Sequence, residues 1–212
     1  MRKENLFLVV AFLATIFFIA CKGNEPKEDT TIIGTTPEEI GVLINGVVWA
    51  PGNVDLMGTF VSKTHDEGKW YQWNIKDLAN YLYPTEYNAS AYAADTVWLP
   101  ENDPSPEGWR IPTIDEFKTL FDTEKVKNEW VLNGRRFTDI STGKSIFLPA
   151  AGYSYYTSYF NNVGGVGKYW SRNKFEDISN FAYNLCFDEN EHSLRLANNH
   201  KSYSMSIRPV AK

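Results

Sequence analysis

The segment Asn102–Phe117, NDPSPEGWRIPTIDEF, constrains this chain more than any other. Pro104, Pro106 and Pro112 each fix φ and push the preceding residue towards extended backbone. The run up to Pro112 is therefore predicted to be a rigid, non-helical strap around Trp109. Thr113, with Glu116 three residues on, has the capping-box pattern that opens a helix. Phe117, Leu120 and Phe121 supply the apolar face of that helix. Trp109, Arg110, Pro112, Thr113 and Glu116 are read as a structural signature, not as catalytic machinery.

Turn signals divide the rest of the domain into short strands. Val42–Trp49 reads as two strands around Asn45-Gly46, the strongest short hairpin signal. Glu129–Leu132 and Arg135–Phe137 flank a second such pair, Asn133-Gly134. Trp70–Asn74, Ser145–Leu148, Lys168–Ser171, Ala182–Phe187, Leu194–Leu196 and Met205–Val210 are further strand candidates. A second short helix is expected over Lys76–Tyr83, stopped by Pro84. The expected class is α+β: mostly short antiparallel strands with one or two short helices.

The N-terminus carries an address. Arg2 and Lys3 precede an uncharged run, Leu6–Ala20, of fifteen residues, the upper end for the apolar core of a signal peptide and short of a bilayer span. Phe18-Ile19-Ala20-Cys21 resembles a bacterial lipobox, with Phe18 where Leu is usual. The expected organisation is a signal peptide over 1–20, a lipidated Cys21 and polar tether over 21–40, and one domain over 41–212. Acyl chains on Cys21 would attach the protein to the membrane, placing it at the outer membrane or cell surface. Without Arg2, Lys3 and Glu4 the chain has 19 basic and 25 acidic side chains, a net charge of −6. The basic residues form no dense run, so nucleic acid is not an expected partner.

Five segments, in order, carry a family resemblance. Asn102–Phe117 resembles the signature NDPCPxGWRxPTxxE of the Fibrobacter succinogenes major paralogous domain, common in secreted proteins of Bacteroidetes and Fibrobacteres. Ile44–Trp49, Gly68–Asn74, Phe147–Tyr153 and Gly167–Ser171 are similar to its other conserved blocks, and the chain closes on Ser206-Ile-Arg208-Pro-Val210 where the family has Ser-Val-Arg-Cys-Val. The resemblance implies a C-type-lectin-like fold, also similar to formylglycine-generating enzymes, and no general activity. It further implies that Ser105 and Pro209 stand where family members have a cysteine pair. The strap is then expected to be held by the packing of Trp109 and its prolines. Cys186, the remaining cysteine after Cys21, lies in the apolar run Phe181–Phe187 and reads as a buried strand residue.

Candidate chemistry is sparse. Gly164–Lys168 lacks both the glycine and the Ser/Thr of a phosphate loop, so it reads as a turn. His65, His192 and His200 share no metal-ligand spacing, and Asp188–His192 reads as a polar hairpin turn. No nucleophile elbow is present, and the calcium motifs of C-type lectins are missing. Arg110 and Arg208 are expected to form fold-stabilising ion pairs. No catalytic residue, metal ligand or cofactor is assigned. The uncharged segment Tyr153–Phe160 is the remaining candidate: Tyr153, Tyr155, Tyr156 and Tyr159 can stack sugar rings, or simply pack together. The reading is a lipid-anchored envelope protein with a non-catalytic domain for polysaccharide, glycoprotein or a partner protein. A structural or adhesin-type component and a polysaccharide-acting enzyme are the alternatives.

Overall fold

The computed structural model describes residues 34, 36–75, 97–155 and 158–212. Cys21 and the tether up to residue 33, the helix expected over Lys76–Tyr83, and Tyr156 lie outside the described residues.

Turn chemistry sets the first hairpin. Asn45 and Gly46 take φ of 43° and 83°, the paired positive values of a two-residue turn, and Val42–Ile44 runs antiparallel to Val47–Trp49. The second hairpin forms between Val126–Val131 and Gly134–Asp139, but its turn is one residue earlier than expected. Leu132 and Asn133 hold the left-handed positions, at φ 49° and 57°, while Gly134 pairs with Val131. Gly134 answers a different need: a Cβ there would lie 2.5 Å from both the Leu148 carbonyl and the Phe147 ring on the neighbouring strand, Ser145–Pro149.

The strap is extended as its prolines require, and its fastening is broader than packing. Trp109–Arg110 is a strand paired with Val210–Ala211 near the C-terminus, and that strand also pairs with Trp49 of the first hairpin. The Asp103 carboxylate accepts from the backbone N–H of Ser105 at 2.9 Å and of Ile111 at 3.0 Å. Gly58 N–H donates to the Pro104 carbonyl at 2.9 Å. Thr113 Oγ1 accepts from Glu116 N at 3.2 Å, while the Glu116 carboxylate accepts from Thr113 N at 2.7 Å, a completed capping box. The helix it opens, Ile114–Lys118, is only five residues long and tightens into a 3-10 turn over Thr119–Phe121.

A central sheet is built from Val166–Lys174, Phe181–Asp188 and Arg195–His200. Its side chains alternate between two cores, as the period of a strand demands. Tyr169, Leu185 and Phe187 face one, with Trp49, Phe117, Leu120, Phe137 and Leu148. Trp170 and Ala182 face the other, with Val54, Tyr71, Trp73, Trp98, Ile111, Met205 and Ile207. The expected strand Met205–Val210 is divided: Tyr203–Met205 joins the sheet containing Tyr71–Gln72, and Val210–Ala211 joins the strap. Pro209 sits between them and has no N–H to continue a ladder.

The α+β class, and the lectin-like architecture attached to it, are therefore corrected. Among the described residues strand makes up 43% and helix 11%, arranged as four small antiparallel sheets. The capping box starts a helix, but a single short helix cannot make a layer of its own. The fold is β-rich. Among the described residues no helix is long and apolar enough to cross a membrane.

Candidate functional site

Three tyrosines share one sheet face. Tyr153 and Tyr155 lie two apart on the strand Tyr153–Tyr155, so their side chains leave the same side. That strand pairs with Tyr203–Met205, placing Tyr203 directly opposite Tyr155. The Tyr155 and Tyr203 rings are 4.3 Å apart at 28°, and Tyr153 and Tyr203 are 5.7 Å apart at 26°. Tyr155 is the most open of the three, at 38% exposure. Tyr159 lies on the adjoining strand Ser158–Asn161. Tyr203 is not legible as a site residue in the sequence, because nothing there shows that its strand pairs with Tyr153–Tyr155.

A lysine completes the group. Lys168, from the first strand of the central sheet, brings its Nζ 4.3 Å from the Tyr153 ring centroid and 5.4 Å from that of Tyr203. Such placement over ring faces is attractive because the π quadrupole is negative there. Lys168 Nζ also donates to Asn199 Oδ1 at 3.1 Å, an oxygen that accepts from Asn184 Nδ2 at 3.1 Å as well. Burial draws the Lys168 ammonium below its ordinary pKa, and the nearby Arg195 charge adds to this. Burial pushes the Tyr203 phenol up, with Tyr155 and Tyr153 contributing, so it is a neutral hydroxyl at physiological pH.

Cys186 pairs across the strands with Lys168 on one side and Arg195 on the other. It is buried, and burial raises its pKa, which favours the inert thiol. Burial raises the Glu67 carboxyl above its ordinary pKa, and the neighbouring Asp66 charge adds to this. Among the described residues no group of three or more His, Cys, Asp and Glu side chains is arranged to hold a metal ion. Asp188–His192 forms the connection between two central strands, with Asn190 capping a 3-10 turn over Glu191–Ser193.

The signature residues serve the scaffold. Trp109 is buried, and Arg110 makes a two-pronged ion pair with Glu116 at 2.6 and 2.8 Å. Pro112 offers its carbonyl to Arg172 N at 2.8 Å. Arg208 differs from expectation. It is fully buried and its donors reach Asn53 Oδ1, the Ala50 carbonyl and the Phe147 carbonyl at 2.9, 2.9 and 2.7 Å. These acceptors are neutral, so the expected ion pair is replaced by a fork that joins three segments. A groove of about 790 Å³ lies beside the strap, lined by Pro37, Phe60, Pro106, Glu107, Gly108 and Lys212 and by none of the tyrosines.

No family model, no curated protein and no solved structure matches this chain.

Proposed function

We propose that this chain is a lipid-anchored cell-envelope protein of the Fibrobacter succinogenes paralogous-domain type, whose domain binds saccharide without transforming it. The stacked rings of Tyr153, Tyr155 and Tyr203 beside Lys168 carry the reading. Aromatic faces pack against the C–H faces of sugar rings, while the phenol hydroxyls and the ammonium supply hydrogen bonds at the ring edges. The flanking strands hold the platform before any ligand arrives, which limits the ordering entropy lost on binding. Anchoring is supported by the lipobox-like Phe18–Cys21 and the polar tether. The test is a glycan array probed with the full chain in detergent. Binding by the parent protein and loss of at least about tenfold in signal for Tyr155→Ala and Tyr203→Ala are expected, since aromatic anchors dominate such contacts. Equal signal from parent and variants, at equal thermal stability, would sink the reading. Release of product from a bound glycan would favour an enzyme instead.

A further inference from the structure

The chain is acidic, at net charge −5, yet its tyrosine platform adjoins one cation, Lys168, with a second, Arg195, two strands across the central sheet. Lys168 and Arg195 stand on either side of Cys186 in the register of the central sheet. Among the described residues neither forms an ion pair. Arg195 donates to the Ser193 carbonyl at 3.0 Å and is otherwise exposed. A half-buried ammonium is ordinarily compensated by a carboxylate, because its desolvation costs more than neutral dipoles return. Lys168 instead has one amide oxygen and two ring faces. An ammonium offers three donors, and Asn199 takes one. Asp188, the acid on these same strands, is directed elsewhere: its carboxylate accepts from Asn190 N at 2.8 Å.

From this we infer that the saccharide taken by the tyrosine platform is anionic, bearing a uronate carboxylate or a sulfate ester that pairs with Lys168 and, at longer range, Arg195. The inference rests on the saccharide-binding reading above and narrows its ligand class. A sugar ring stacked on Tyr155 and Tyr203 would place a ring substituent towards the ammonium over Tyr153 and Tyr203. The anion would then supply the counter-charge that the described residues leave out.

Affinity electrophoresis of the full chain in detergent tests this, with polygalacturonate, heparin and neutral galactan as three separate gels. Retardation on at least one acidic gel, weakening as salt rises, and a smaller or absent retardation on galactan are expected. Retardation by polygalacturonate assigns the carboxylate and by heparin the sulfate. Lys168→Gln is expected to lower acidic-gel affinity by about tenfold or more, and exposed Arg195→Gln by about threefold. Should Lys168→Gln fail to fold, Arg195→Gln decides alone. Unchanged acidic affinity in a folded variant overturns the inference and leaves Lys168 as packing. Equal retardation on neutral and acidic gels overturns the anionic class while the saccharide reading stands. No retardation on any of the three overturns the anionic class, and an array without signal removes the saccharide reading as well.

Discussion

Arg208 shows how one side chain can hold several segments together. Burial pulls its guanidinium down to about 10, still above physiological pH, so it remains a cation surrounded by neutral oxygens. Replacing it with leucine would leave the Ala50 and Phe147 carbonyls and Asn53 Oδ1 without their donors. Arg208→Leu is therefore expected to destabilise the domain by about 3 kcal/mol or more, read as a lower urea midpoint at constant slope. Glu116 is the residue through which the strap senses acid. Burial alone would raise its carboxyl, but Arg110 and the Thr113 N–H and hydroxyl outweigh that and hold it below the ordinary range. A depressed folded pKa contributes stability that is fully present above the unfolded value, about 4.3, and is lost as pH falls through the folded value. Glu116→Gln is expected to cost about 1–2 kcal/mol at neutral pH and to flatten the acid limb of a pH–stability curve. The sequence predicts an ion pair for Arg110 but does not identify Glu116, already engaged by its capping box, as the partner. The Arg208 fork is not legible there, because two of its three acceptors are backbone carbonyls that leave no mark in sequence.

At the scale of elements, turn residues were legible where local sterics alone decide. Asn45-Gly46 takes its turn because both residues tolerate positive φ. The second hairpin resisted the same logic: Gly134 is reserved for close approach to a third strand, so Leu132 is forced into the left-handed region. That conformation costs a leucine roughly 1–2 kcal/mol, and its side chain is 51% exposed, so it gains little in return. Leu132→Asn is accordingly expected to stabilise the domain by about 1 kcal/mol, measured by urea unfolding. At the strap, Thr113→Ala removes the acceptor for Glu116 N and is expected to cost about 1 kcal/mol by the same measurement.

For the whole molecule, the strand Val210–Ala211 lies between the strap and the first hairpin and pairs with both. Removing residues Val210–Lys212 would leave the strap strand without a partner and expose Trp49 and Trp109, both buried. The truncated chain is expected to melt at least about 10 °C lower by circular dichroism, or to lose cooperative unfolding. By itself the sequence determined the features set by neighbours along the chain: the proline strap, the capping box, the Asn45-Gly46 turn and the existence of the central strands. Each follows from backbone sterics or side-chain period within a few residues. Tertiary structure alone decided the rest. It brought Tyr203 against Tyr155, set Lys168 over their side of the sheet, and divided Met205–Val210 between two sheets. It also made the fold β-rich, because the area available for burial lay between sheets and a five-residue helix offered too little surface to form a layer.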